Sequence, residues 1–164
     1  IPVEKTLECV RQLRELGVDR FYLAASTGME EPRQVSALFR GAIEAFPDCE
    51  FGFHVHEKMG LASANLLAAL DAGATMLEGS ICGIGGGIAF PGGAGSVGNV
   101  PTEDLVNFMD VMGVDTGLDA TQVLRTARQI GELVNIPVVS HAGTAGLRAD
   151  MERLGAQNPT AHPT

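Results

Sequence analysis

One stretch of sequence indicates the type of fold: Phe51-Gly-Phe-His-Val-His56 and, after a short polar link, Leu61-Ala-Ser-Ala-Asn-Leu-Leu-Ala-Ala-Leu-Asp-Ala72. The first run is short, apolar and aromatic, which predicts a buried β-strand. The second run predicts a helix, because Gly73 follows it and glycine is the usual residue just past a helix end. A buried strand followed by a helix is the repeating unit of a parallel α/β sheet.

The same unit recurs on both sides of this stretch. The other predicted elements are a helix from Pro2 to about Leu16, a strand Arg20 to Ala25, a helix opened by Pro32, a strand Thr75 to Ile81, a helix from Pro101 to about Met112, a helix capped by Asp119, a strand-like run Pro137 to Ser140 and a helical piece near Met151. Strands alternate with helices at spacings of roughly 25 to 30 residues, which predicts a parallel sheet.

Two α/β architectures fit this order of elements. A parallel α/β domain normally begins with a strand, because its first helix needs a sheet to cover, whereas this chain begins with a helix. The chain is therefore either a small doubly wound sheet that begins irregularly or the later part of a (βα)8 barrel, which needs about 250 residues. Its 164 residues suffice for one domain or for part of one.

Charge and cysteine content exclude several classes of partner. The net charge is −9, the wrong sign for nucleic acid or for an anionic membrane surface. The longest uncharged run, Gly79 to Thr102, contains nine glycines and two prolines, so no membrane helix is expected. The three cysteines form no Cys-x-x-Cys pair, which argues against a disulfide framework or a thiolate zinc site. The cytoplasm is the predicted setting.

His54 and His56 are the first candidates for chemistry. They end the predicted strand Phe51 to His56, and positions i and i+2 of a strand face the same side. The carboxyl ends of parallel strands are where α/β proteins build their sites. Two imidazoles at one point can ligate a divalent ion. The alternative is a pair of hydrogen-bonded, half-buried histidines.

A glycine-rich loop follows the third predicted strand. Residues Gly83 to Gly98 include eight glycines, a density that lets backbone N–H groups approach a carboxylate, a phosphate or an oxyanion. The alternative is a flexible surface loop. The pattern Gly93-x-Gly95-x-x-Gly98 matches a dinucleotide fingerprint, but no strand precedes it, so we do not predict a dinucleotide site.

Several motifs in the same order resemble hydroxymethylglutaryl-CoA lyase. They are His54-Val-His56, Leu61-Ala-Ser-Ala-Asn65, Glu78-Gly-Ser80, Gly83-Ile-Gly85-Gly86, Gly98-Asn99 and Thr102-Glu-Asp-Leu105. More broadly, the chain is similar to the metal-dependent lyases, aldolases and Claisen-condensing enzymes that share one TIM barrel. The resemblance runs from about Pro2 to Val134.

The resemblance implies an α/β TIM (β/α)8 barrel, of which this chain covers about the last three βα units and the C-terminal helices. Residues 1–113 would belong to the barrel, and residues 114–164 would form a helical extension and tail. The first five strands have no counterpart here, which accounts for an opening helix without its strand. We therefore expect a homo-oligomer, or a chain that needs the missing N-terminal half of the barrel.

By the same resemblance, His54, His56 and Asn99 are metal ligands, and a fourth ligand, an aspartate on the first barrel strand, is absent. Two imidazoles with oxygen ligands suit Mg²⁺ or Mn²⁺, and Zn²⁺ is possible. Ser26 and the loop glycines Gly85, Gly86 and Gly87 are the predicted substrate-binding residues.

The expected activity is divalent-metal-dependent C–C bond cleavage of a 3-hydroxyacyl-CoA or a similar hydroxy acid, by retro-Claisen or retro-aldol chemistry. The lyases carry a cysteine where this chain has Gly87 and an aspartate where it has Ala25, so no residue is assigned as general acid or base. Cys82 is predicted to be a core residue instead. The alternatives are a 2-oxo-acid aldolase of the 4-hydroxy-2-oxovalerate type, a Claisen-condensing synthase of the isopropylmalate type, and a noncatalytic barrel fragment.

Overall fold

The computed structural model describes residues 2–86, 88–89 and 96–157, and for Ile88, Ala89, Ser96 and Val97 the backbone alone. In chain order the elements are α1 (Val3–Glu15), β1 (Arg20–Ala25), α2 (Pro32–Ala45), β2 (Glu50–Glu57), α3 (Ala62–Asp71), β3 (Met76–Glu78), a 3-10 helix (Ile81–Gly83), β4 (Ile88–Ala89), β5 (Ser96–Asn99), α4 (Thr102–Val111), α5 (Ala120–Val134), α6 (His141–Ala145) and α7 (Arg148–Gln157).

The chain divides into two compact units. One consists of Ile1–Gly79 with Gly85–Val100, and the other of Ser80–Ile84 with Pro101–Thr164. The boundary between residues 113 and 114, which concerns a complete barrel, stays a prediction.

The first unit is built on three parallel strands with β2 in the middle. β1 pairs with β2 from Arg20 opposite Glu50 onward, and β2 pairs with β3 from Gly52 opposite Met76 onward. A helix follows β1 and another follows β2, so the predicted strand–helix repeat is confirmed. β1 ends opposite Val55 and β3 ends opposite His54, so the side chains at the carboxyl ends of these strands lie close to the end of β2.

The core of this unit lies between the strands and the helices. The β1 residues alternate between exposed and buried, because successive side chains of a strand point to opposite faces. Phe21 of β1 stacks on Phe51 of β2 at a ring-centroid distance of 5.6 Å, and Phe39 of α2 meets Phe53 edge-on at 5.4 Å. Burying these large aromatic side chains leaves the opposite face of the strands to carry polar groups.

The region after β3 differs from the sequence prediction in two ways. The strand predicted from Thr75 to Ile81 is shorter in the structure, where β3 spans only Met76–Glu78. It ends early because a 3-10 helix begins at Ile81, and within that helix Cys82 has a left-handed φ of 55°. The glycine-rich segment, predicted as a loop, also contains two strands, β4 and β5, which pair with each other antiparallel. β5 in turn runs antiparallel to the end of β2, so the sheet is mixed rather than wholly parallel.

The second unit is helical. Its core contains Val106 of α4, Ala120 and Leu124 of α5, Ala142 of α6, and Leu147. Asp119 caps α5 as predicted, its Oδ1 accepting a hydrogen bond from Gln122 N at 3.1 Å.

The predicted strand-like run Pro137 to Ser140 is wrong. Ser140 instead caps α6, with its Oγ accepting from Gly143 N at 3.1 Å. Val138 packs so closely against two glycines that a methyl group on Gly131 or Gly143 would lie 2.8 or 2.6 Å from its side chain. Packing against helices has therefore replaced strand pairing. No helix within the described ranges is both long and apolar enough to span a membrane.

Candidate metal centre

Two histidines meet at the carboxyl end of β2. His54 and His56 lie two residues apart on one face of the strand, and their Nε2 atoms are 3.0 Å apart. The rings are inclined by 75° with their centroids 4.9 Å apart. The side chain of His54 is 23% exposed, and His56 is 5% exposed. The spacing in sequence thus produces two imidazole nitrogens that face the same point from a largely buried position.

The separation of these nitrogens fits two ligands of one divalent ion. Neighbouring ligands of an octahedral ion with bonds of about 2.1 Å lie about 3.0 Å apart. A tetrahedral zinc site with bonds of about 2.05 Å would place them about 3.4 Å apart. The observed 3.0 Å matches the octahedral value, as Mg²⁺ and Mn²⁺ prefer. It also fits an N–H···N hydrogen bond between the rings, which is the metal-free arrangement of the same pair.

Glu78 of β3 lies beside His54. The parallel register places these two residues opposite each other, and His54 Nδ1 is 2.8 Å from Glu78 Oε1. A carboxylate accepts hydrogen bonds and does not donate them, so His54 donates through Nδ1–H. The neutral ring then keeps its lone pair on Nε2, the atom that faces His56.

Asn99 reaches the histidines through β5. The antiparallel register places it directly opposite His56. Residues that are directly opposite share a face of the sheet, with Cβ atoms about 4.5–5.5 Å apart. The structure therefore puts all three predicted ligands at one place, and the amide oxygen of Asn99 adds a hard oxygen donor to two nitrogens.

The glycine loop passes close to this amide. Gly85 has a φ of +90°, and a methyl group on it would lie 3.2 Å from Asn99 Nδ2. Gly86 has a φ of +92°. Both residues thus adopt conformations that favour glycine, and Gly85 leaves room for the Asn99 side chain. Gly87, the third predicted loop residue, lies outside the described residues.

The loop after β1 supports the end of β2 from another direction. Ser26 is exposed and lies one residue beyond β1. Gly28 has a φ of +63°, and a methyl group on it would lie only 2.7 Å from the backbone oxygen of His56. This loop packs against the backbone that carries the second histidine, while Ser26 stays a predicted substrate-binding residue.

Across the residues that the structure describes, no group of three or more His, Cys, Asp and Glu side chains is arranged to hold a metal ion. The donors that this part of the chain offers are therefore the two imidazoles and an amide. Glu78 belongs to the motif Glu78-Gly-Ser80, but the sequence alone predicts no role for it. The signal that could have found it is the register of β2 and β3, which only a three-dimensional arrangement supplies.

Cys82 is part of the core of the second unit, as predicted. It is buried, and its Sγ donates a hydrogen bond to Ala127 O at 3.0 Å. Burial, with a smaller contribution from the nearby Glu103, raises the pKa of this thiol. A buried thiol with a raised pKa is a poor nucleophile and a poor proton carrier.

The strand–helix repeat, with polar side chains gathered at the carboxyl ends of parallel strands, is that of an α/β TIM barrel, of which the chain covers a part. The chain belongs to the family described as HMGL-like, whose model matches residues 1–130. The predicted fold class and family resemblance are thereby confirmed. Divalent-metal dependence is general among the lyases and aldolases of this family.

Named relatives fall into two groups. A hydroxymethylglutaryl-CoA lyase of Bacillus subtilis is 31% identical over 85% of this chain and 46% of its own length. A 4-hydroxy-2-oxovalerate aldolase of Stutzerimonas stutzeri is 38% identical over 79% of this chain and 35% of its own length. The solved structure of an HMG-CoA lyase from Acinetobacter baumannii, in complex with coenzyme A and 3-methylmalate, matches all of this chain and 50% of its own with a TM-score of 0.79 and 28% identity. The chain thus spans half or less of these relatives.

Proposed function

We propose that this chain forms the metal-binding part of a carbon–carbon lyase that cleaves a 3-hydroxyacyl-CoA or a similar hydroxy acid. The observation that carries the proposal is the pair of imidazole nitrogens 3.0 Å apart at the carboxyl end of β2. Its support is threefold: the octahedral spacing of these nitrogens, the register that brings Asn99 alongside, and relatives that are named lyases and aldolases.

His54, His56 and Asn99 would hold Mg²⁺ or Mn²⁺. When bound, such an ion supplies a Lewis acid that polarises a carbonyl or hydroxyl oxygen of the substrate. His54 and His56 contribute neutral nitrogens and Asn99 a neutral oxygen, so these ligands leave the positive charge of the ion largely uncompensated for an anionic substrate. The substrate carboxylate is expected beside Ser26 and the backbone N–H groups of Gly85, Gly86 and Gly87.

The reaction needs one proton removed and one delivered. The hydroxyl proton leaves, the C–C bond breaks, and its electron pair passes to the carbon next to the carbonyl group, which is then protonated. Gly87 stands where the lyases carry a loop cysteine, and Cys82 is sealed in the core of the second unit. The proton carrier is therefore neither a loop cysteine nor Cys82.

Metal analysis tests the binding site directly. When the protein is extended by the remaining barrel half, which would supply the fourth ligand, the wild type should retain about one equivalent of Mn²⁺ after gel filtration, measured by elemental analysis, and the H54A/H56A double variant should retain none. H141A is the matched control, because the side chain of His141 is 96% exposed in the other unit. Equal metal content in the wild type and the double variant would contradict the proposal, as would a wild type without metal.

A 2-oxo-acid aldolase is the second candidate function. It is favoured by Gly87 in place of the cysteine and by the aldolase relative at 38% identity. The metal-loaded protein should be assayed for acyl-CoA cleavage and, in parallel, for pyruvate release from a 4-hydroxy-2-oxo acid. Activity in one assay alone identifies the substrate class, and condensation of a 2-oxo acid with an acyl-CoA would identify a synthase. Inactivity in all three would favour the noncatalytic fragment.

Two further expectations belong to the same proposal. Its small-molecule partner is a carboxylate or an acyl-CoA, and the protein works as a homo-oligomer or together with the remaining barrel half. Light scattering gives the molar mass in solution and so tests for a homo-oligomer. A monomer of 17.1 kDa would contradict self-association. The cytoplasmic setting also stays a prediction.

A further inference from the structure

The carboxylate of Glu78 contacts the histidine pair through His54. It is carried by β3, the strand next to β2, and lies opposite His54 in the parallel register. The distance of 2.8 Å between His54 Nδ1 and Glu78 Oε1 is that of a charge-assisted hydrogen bond. The contact is therefore built into the pairing of two strands and does not depend on a loop.

The consequence of this contact lies on the opposite side of the imidazole ring. A neutral histidine carries one N–H, and a carboxylate at Nδ1 fixes that hydrogen there. The lone pair is then on Nε2, 3.0 Å from His56 Nε2. Without the carboxylate, the ring is able to populate the other tautomer, which places a hydrogen where the ligand lone pair is needed, and it is also able to rotate.

We propose that Glu78 is a positioning residue, which holds the His54 ring with its Nε2 lone pair directed at the point shared with His56 and so raises the affinity of the pair for a divalent cation. The inference rests on the proposed function in one respect, namely that this histidine pair is the cation site. Carboxylates in such a position typically change metal affinity 10- to 100-fold. The side chain of Glu78 is 47% exposed, so water competes for its oxygens and the lower end of that range, about tenfold, is expected here.

The experiment uses Mn²⁺ as the probe and measures its dissociation constant from the free-ion signal in electron paramagnetic resonance. E78A should bind Mn²⁺ about tenfold more weakly than wild type. E78Q should fall between them, because the amide oxygen still accepts from Nδ1–H but carries no charge. E50Q is the matched control, because it makes the same acid-to-amide change at the far end of β2, where Glu50 pairs with Arg20 at 2.9 Å. The affinity of E50Q for Mn²⁺ should equal that of the wild type.

A second readout does not require metal. The ring nitrogens of 15N-labelled histidine in the metal-free protein report the tautomer of His54, which should be Nδ1–H in the wild type and in E78Q. In E78A the Nε2–H form should appear. A residue that only stabilised the fold would lower the melting temperature without changing this tautomer, and E78Q keeps the test available if E78A folds poorly.

The outcomes separate this inference from the proposed function. If H54A/H56A loses Mn²⁺ while E78A and E78Q bind it as tightly as wild type does, the positioning role is refuted and the metal site stands. If the wild type binds no Mn²⁺ but shows the Nδ1–H tautomer, and E78A loses it, the metal site is refuted and the control of the tautomer by Glu78 stands. An unchanged tautomer in E78A overturns the inference in either case.

Discussion

Replacing Gly28 by alanine tests whether the loop after β1 supports the histidine pair. Gly28 has a φ of +63°, and alanine in this left-handed conformation costs roughly 1–2 kcal/mol. Its methyl group would also lie 2.7 Å from the backbone oxygen of His56, whereas ordinary contacts begin at 3.4 Å. The backbone would have to move by about 0.7 Å, and such overpacking adds about 1–3 kcal/mol.

Gly60 provides the matched control. It has a φ of +72°, and a methyl group there meets nothing within 4 Å, so G60A carries the conformational cost alone. Urea unfolding should show G28A less stable than G60A by about 1–3 kcal/mol, which lowers the unfolding midpoint by about 1 M at a typical slope. Affinity for Mn²⁺ should fall in G28A and stay at the wild-type value in G60A, because only the former displaces His56.

Equal unfolding midpoints for G28A and G60A would contradict this role of the loop, since the contact with His56 would then contribute nothing. A lower midpoint for G28A with unchanged Mn²⁺ affinity would show that the loop stabilises the unit without holding the second histidine in place.

Three further variants or treatments test the core, a helix cap and the buried thiol. F39A removes a ring that is 0% exposed and packs edge-on against Phe53, so the free energy of unfolding should fall by about 3–5 kcal/mol; a loss below 1 kcal/mol would contradict this packing. D119A removes the cap of α5 and should lower the free energy of unfolding by about 1 kcal/mol. An unchanged free energy of unfolding would contradict the capping role of Asp119. In the native protein at pH 8, a thiol reagent should modify exposed Cys9 and spare Cys82, whose burial raises its pKa. Equal labelling rates for Cys9 and Cys82 would contradict this burial. Because the thiol of Cys82 ionises at a lower pH in the unfolded chain than in the folded one, its contribution to the free energy of unfolding should be present at neutral pH and decline as the pH rises through the folded pKa.

Local patterns were sufficient to predict the elements that depend on local chemistry. The strand Arg20 to Ala25 was predicted with its observed bounds, since its apolar run is bounded by turn residues. The helix that begins at Pro32 and the cap at Asp119 follow from residues with one strong positional preference each. The placement of His54 and His56 on one face follows from the period of a strand.

Features that depend on distant pairing could not be predicted in this way. β5 follows three closely spaced glycines in the sequence, which predict a loop. It is nevertheless a strand, because it pairs with β2, some forty residues earlier in the chain. Pro137 to Ser140 has the apolar content of a strand, but Val138 fills the space beside Gly131 and Gly143 instead. Glu78 acquires its partner only through the register of two strands, and no local pattern of residues specifies that register.

The pairing of β4 with β5 has a consequence for how this chain tolerates changes in length. Asn99 lies opposite His56 because β5 pairs with β2 at this end, and Ala89 pairs with Ser96 at the other end of β5. A change in the number of residues between Ala89 and Ser96 should leave the register of Asn99 unchanged, because that register is set by the pairing of β5 with β2. The length of the glycine-rich segment can therefore change without moving Asn99 away from His56.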